Sequence, residues 1–228
     1  MNRRDGLRLG ALAVAGMAVA SATRASEAVS VNAPMDSFWD VVKKRRSVRS
    51  FKPDPIPEEH LMKIVDAARM APSAGNEQPW KFVIVTDRKL IEAMKNECIK
   101  RVESDLQKES ALKGKAFADE LDKRVDAWIR GRFSAPAYIV VLTDDSCQYP
   151  AYNRHNGPLA AGYLLLAARA LGYGTVYMTD SIPVEVTRRV LNIPERYSQV
   201  CVTPVGIPTE WPTKEKKALQ EFVVKESF

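Results

Sequence analysis

Histidine and cysteine are scarce in this chain: 228 residues include two histidines, His60 and His155, and three cysteines, Cys98, Cys147 and Cys201. No C-x-x-C and no paired histidines give metal-ligand spacing, so no metal centre is expected. Three widely separated cysteines offer no disulfide framework, although one pair is free to form, and Cys201 inside Val200-Cys201-Val202 reads as a small buried hydrophobe. No G-x-G-x-x-G follows a strand pattern, which removes the dinucleotide fold of ordinary dehydrogenases. Internal repeats and low-complexity linkers are missing too. The formal charge is +6, but the first 25 residues carry Arg3, Arg4, Arg8 and Arg24 against Asp5, so half of it belongs to that leader. The remaining +3 is too small for a nucleic-acid surface and leaves acidic small molecules as candidate ligands.

The leader has its own pattern. Asn2 to Arg8 is basic, Leu9 to Ala20 is uncharged and apolar, and small residues follow at Ala20-Ser21-Ala22. Twelve apolar residues fall short of the roughly 20 needed to span a bilayer. A charged segment, a short apolar segment and a small-residue cleavage site make a secretory signal. Paired Arg3-Arg4 followed by Gly6-Leu7-Arg8 resemble a twin-arginine export signal, with Gly6 where that signal usually has a bulkier apolar residue. The expectation is a signal over residues 1–25, a linker over 26–34, a domain over 35–228 and a periplasmic protein. If the segment is not a signal, the protein stays in the cytoplasm.

Beyond Pro34, Phe38, Val41 and Val42 have helical spacing and run into Lys43-Lys44-Arg45-Arg46. Pro57-Glu58-Glu59 reads as a helix first turn, with acids against the dipole, and Leu61, Ile64, Val65 and Ala68 as its buried face. Strands are expected at Lys81–Thr86 and Ala137–Leu142, separated by a charged helical region that breaks at Gly114. Pro158 to Leu171 is apolar nearly all round and reads as a core helix buried on most faces. A short strand at Thr175–Thr179, a helix at Pro183–Leu191, a strand at Gln199–Val205 and a strand-like Phe222-Val223-Val224 complete the chain. This alternation predicts a layered α/β (α+β) domain, a mixed central sheet flanked by helices.

Two segments could carry chemistry. Arg45, Arg46 and Arg49 around Ser47 form either a solvated helix end or an anion clamp, and the cluster alone does not decide between them. Ala71-Pro72-Ser73-Ala74-Gly75-Asn76-Glu77-Gln78-Pro79-Trp80 is either a turn-rich connection or a loop that brings backbone to a flat ligand.

Taken in order, R-R-S-V-R-S-F, then A-P-S-A-G-N-E-Q-P-W-K-F-V-I-V, the helix ending Ala168 to Gly174, and Pro204-Val205-Gly206-Ile207-Pro208 followed by Lys214 and Lys216 resemble the FMN-dependent nitroreductase family from Met35 to Phe228. The resemblance implies a domain-swapped homodimer with FMN in a cleft at the interface. It implies that Arg45, Ser47, Arg49, Lys214 and Lys216 hold the phosphate and ribityl chain, with Arg46 contributing its backbone. It further implies that Pro72, Ser73, Ala74, Asn76, Gln78 and Asn156 approach the flavin from the partner subunit, while Tyr177, Met178 and Thr179 lie beside the ring. Tyr177 to Asp180 departs from the Pro and Glu-Gly common in that stretch, so the hydrogen bond to the ring falls to Thr179. The chemistry would sit on the flavin, with no catalytic side chain: ping-pong reduction of a small planar acceptor such as a nitroaromatic or quinone. The donor would be NAD(P)H or, for an exported protein, a membrane or periplasmic redox protein. Flavin destruction, reductive dehalogenation, and an electron relay without turnover are the alternatives.

Overall fold

The computed structural model describes residues 37–227. The expected signal, linker and their boundaries lie outside the described residues. Within them, no helix is long and apolar enough to cross a membrane.

Helices start and stop where local chemistry allows. Helix α1 (Phe38–Lys44) is capped by Ser37, whose hydroxyl accepts the Asp40 N–H at 3.2 Å. Helix α2 (Glu58–Ala68) follows Pro57 with two acids in its first turn, and buries Leu61, Ile64 and Ala68 as the spacing predicts. After strand β1 (Trp80–Val85), Asp87 caps α3 (Arg88–Glu109) by accepting the Lys89 N–H at 2.8 Å. Helix α4 (Gly114–Val125) opens at the glycine expected to break the charged region, and a π-turn over Asp126–Arg130 extends it. Strand β2 (Ala137–Asp144), α5 (Asn153–Ala170), the two-residue β3 (Gly174–Thr175), α6 (Val184–Leu191) and β4 (Tyr197–Gly206) follow.

The sheet order is β1-β2-β4-β3, with every neighbouring pair antiparallel. The four strands are thus antiparallel where a mixed sheet is expected, and a parallel contact enters as an isolated bridge from Ser47 to Thr175 of β3. Strand β2 is buried along nearly its whole length, and its alternate residues feed two cores. Tyr138, Val140 and Leu142 pack with Ile91 and Met94 of α3 and Val186 of α6; Ile139 and Val141 pack with Leu61 and Ile64 of α2 and Leu164 and Ala168 of α5. Helices therefore cover both faces. The buried Tyr138 hydroxyl donates to the Arg132 carbonyl at 2.7 Å, tying the segment after the π-turn to the sheet.

Three expectations change. Strand Thr175–Thr179 shortens to Gly174–Thr175, because beyond it the backbone pairs with β4 through the isolated Met178–Val202 bridge. Helix α5 begins five residues before Pro158 and is not buried all round: Leu159 and Tyr163 are 45% and 43% exposed. Phe222, Val223 and Val224 form no strand and stay exposed, and a short 3₁₀ turn at Leu219–Glu221 precedes them.

One close approach fixes how α5 sits on the sheet. The β2–β4 register passes from Val141↔Cys201 to Leu142↔Gln199, so Val200 is the extra residue of a bulge. A Cβ at Gly157 would lie 2.4 Å from a Val200 methyl. Gly157→Ala is expected to cost about 1–3 kcal/mol of stability, the range for overpacking a tight contact. Urea unfolding checks this; a wild-type midpoint would show that the contact relaxes freely.

Candidate functional site

The basic segment leaves α1 and becomes a strip along the β3 edge of the sheet. The Val48 N–H donates to the Thr175 carbonyl at 2.9 Å, the Lys52 N–H to Ile207 at 2.8 Å, and the Thr209 N–H to Ser50 at 3.2 Å. The Phe51 N–H donates to the Ser134 hydroxyl at 3.0 Å. Three distant parts of the chain thus hold residues 47–52. Contact with β3 is close enough that a Cβ on Gly174 would lie 2.8 Å from a Val48 methyl.

On this rigid strip the arginines differ. Arg46 folds back, donating to the carbonyls of Lys43 and Arg45, the latter at 2.9 Å, so its guanidinium caps the C-terminus of α1. Its Nε is buried without a partner. Arg45 is partly buried, and that desolvation, helped by the Arg46 charge, holds its guanidinium below the ordinary value. Arg49 is exposed and donates weakly to the Ser47 carbonyl at 3.4 Å. Among the described residues no carboxylate forms an ion pair with Arg45, Arg46 or Arg49, whereas many other surface cations have one. With Arg46 committed to α1, Arg45 and Arg49 are the cations without counter-charge that favour an incoming anion.

The second segment is folded tightly. Gly75, Asn76 and Gln78 have φ of 58°, 56° and 54°, a conformation costly for the two non-glycine residues. The Gln78 N–H donates to the Ser73 hydroxyl at 2.9 Å and the Ala74 N–H to Asn156 Oδ1 at 3.1 Å. The Glu77 carboxylate accepts the backbone N–H groups of Gln148 and Tyr149. Asn156, at the start of α5, is buried, and its Nδ2 has no partner. The Ser73–Gln78 loop and Asn156 therefore form one unit, with Pro72, Asn76 and Gln78 exposed along it.

A cleft of about 290 Å³ lies between the strip and the segment after β3, lined by Arg49, Arg132 and Val176 to Ser181. Met178 is buried and exchanges backbone hydrogen bonds with Val202, at 2.9 and 3.3 Å, so its side chain belongs to the core. Tyr177 and Thr179 are exposed on the cleft. The Thr179 hydroxyl donates to Asp180 at 2.9 Å. Lys214 and Lys216 are exposed on the tail, which is rooted beside Ser50 through Thr209 and leans on α5 where Arg169 stacks over Trp211 at 4.6 Å. The sequence reading missed Arg132, Glu77 and Tyr149. Only the R-G-R-F pattern around Arg132 hinted at it, since Gly131 is the residue that lets a chain pass close to another.

Comparison with known proteins agrees with this architecture. The model of the nitroreductase family matches residues 42–207, which spans the strip, the loop, the cleft and the whole sheet. An iodotyrosine deiodinase of Thermotoga neapolitana is 33% identical over 84% of this chain and 98% of its own. A 5,6-dimethylbenzimidazole synthase of Rhodospirillum rubrum is 32% identical over 73% of this chain and 79% of its own. Among solved structures, an oxidised iodotyrosine deiodinase bound to FMN and 3-iodo-L-tyrosine superposes with a TM-score of 0.65 at 29% identity, covering 84% of this chain and all of that one. FMN is the cofactor of the family, and the fold of this chain is the one these proteins share. The chain belongs to the nitroreductase family.

Proposed function

We propose that this chain is an FMN-dependent oxidoreductase that passes electrons to small planar acceptors. The observation that carries the reading is the uncompensated arginine group on the strip, set beside a cleft wide enough for an aromatic ring. The residues fit the cofactor. A phosphate needs several charged donors on a rigid element, which Arg45, Ser47 and Arg49 provide, with Lys214 and Lys216 on a tail rooted nearby. Arg46 contributes backbone, because its side chain is committed to α1. The buried Asn156 Nδ2 is a donor without a protein acceptor, as a site awaiting a carbonyl-rich ligand would leave it. Bound there, FMN supplies the redox chemistry, and the protein supplies binding, orientation and electrostatics.

Each segment then has a task. The strip holds the anionic end. Tyr177 and Thr179 wall the cleft and would lie beside the ring. The Ser73–Gln78 loop, stiffened by its left-handed residues and by Asn156, presents Pro72, Ala74, Asn76 and Gln78 to the flavin of a partner subunit. The partner is a second copy of this chain. Phe38 and Trp39 of α1 are 63% and 68% exposed, and α1 packs against α5, whose Leu159 and Tyr163 are also uncovered. Phe222, Val223 and Val224 are exposed as well, and uncovered apolar groups of this kind mark an interface. Sedimentation is expected to give a dimer, and a monomer at micromolar concentration would remove the partner's share of the site.

Nitroaromatics and quinones suit the cleft, and halogenated aromatics are a second class favoured by the similarity to a deiodinase. Residues 1–25 read as an export signal, which places the enzyme in the periplasm and makes a periplasmic or membrane redox protein the donor in place of NAD(P)H. Replacing Arg3 and Arg4 together by lysine should keep the precursor in the cytoplasm; unaffected export would remove the twin-arginine route.

The holoprotein, reduced without oxygen, is expected to be reoxidised stoichiometrically by a nitroaromatic or a halophenol. Reoxidation by neither, with rapid transfer to a redox protein, would make it a relay, and loss of FMN under oxygen would make it a flavin destructase. Arg45→Ala should weaken FMN binding roughly tenfold, about 1.5 kcal/mol, the lower end for a charged hydrogen bond because Arg45 is partly exposed. Lys214→Ala should weaken it less. Wild-type affinity in both would refute the phosphate assignment.

A further inference from the structure

Arg132 is 83 residues from Arg49 in sequence, yet the two line one cleft. Gly131 causes the meeting: a Cβ there would lie 3.1 Å from the Arg49 carbonyl oxygen, tighter than nearly any side chain allows. The segment is also anchored from the other side. The Arg132 carbonyl accepts the Tyr138 hydroxyl from the core, and one guanidinium nitrogen donates to the Ala127 carbonyl at 3.1 Å, across the end of the π-turn. Desolvation, with the Arg49 charge, holds the Arg132 guanidinium below its ordinary value. The fold therefore brings two like charges to one cleft on two backbone segments that hydrogen bonds hold in place. A carboxylate lines the cleft as well, Asp180, which accepts a hydrogen bond from Thr179.

We propose that Arg132 is a further cation of the flavin site, one that favours the reduced flavin over the oxidised one. The inference rests on the FMN reading above and adds a residue to it. Two electrons and one proton convert the neutral oxidised ring into one carrying a negative charge. With the ring against the wall formed by Tyr177 to Ser181, that charge would develop in the cleft that Arg132 lines. Preorganised cations stabilise a charge that develops there without reorganising the site. The phosphate, which carries the same charge in both states, gains equally in both. The signature of Arg132 is thus a redox-dependent difference in affinity.

The test compares FMN dissociation constants for the oxidised and dithionite-reduced cofactor in the wild-type protein, Arg132→Gln, Arg132→Met and Arg132→Lys. Loss of the charge in the Gln and Met variants should weaken binding of reduced FMN roughly tenfold more than that of oxidised FMN. For a two-electron couple, tenfold corresponds to a fall of about 30 mV in the bound potential, measurable against a reference dye. Lys should restore most of the difference. A merely structural role for Arg132, holding the π-turn through Ala127, would weaken both states equally in all three variants, and that result would overturn the proposal, as would no change at all. If the wild-type protein binds no FMN, the FMN reading itself fails, and that outcome is distinct from the failure of Arg132.

Discussion

The strip from Ser47 to Lys52 is the constraint on which the candidate site depends. An exposed arginine cluster at a helix end would be a mobile, solvated group of little consequence. Here the backbone that carries it is fixed by hydrogen bonds to Thr175, Ile207 and Ser134, and Ser50 receives the root of the tail. Those partners lie at the end of β3, just past β4 and just before β2, so the cations are placed by the whole sheet. The buried Val48 and Phe51 flank the exposed Arg49 and Ser50, which lets one short segment serve the core and the cleft together.

The same coupling explains where strain and buried polarity collect. The Ser73–Gln78 loop takes three left-handed residues and buys its rigidity through Glu77, Ser73 and Asn156. Surface ion pairs such as Lys63–Glu59 and Lys100–Glu97 are exposed helix pairs of small individual value and do not shape the site. What shapes it is the contrast between those compensated cations and the uncompensated ones on the strip.

Much of the fold was legible in the sequence because the signals were local. Helix α2 followed its proline, its acidic first turn and its apolar spacing, and β2 followed its β-branched run. The order of the four matching segments pointed to the family, although composition left Arg45 to Arg49 undecided. What escaped depends on distant partners. The bulge at Val200 is set by α5, and the early end of β3 reflects how the chain meets β4. The uncovered side of α5 looked like core because its residues are apolar, and apolarity does not say which chain covers them. Arg132 looked like one more charge in a charged region, since only the folded sheet brings it to the cleft of Arg49. Sequence order could not reveal that Arg46 turns away to cap α1.

The cofactor itself is the most direct measure of whether the arginine strip holds a flavin mononucleotide. The purified protein, saturated with FMN and freed of excess, should show bound flavin absorbance and release FMN on denaturation in a ratio of about one per chain, as expected for a site with charged donors and a preformed cleft. A colourless protein that retains no FMN under those conditions would contradict the account.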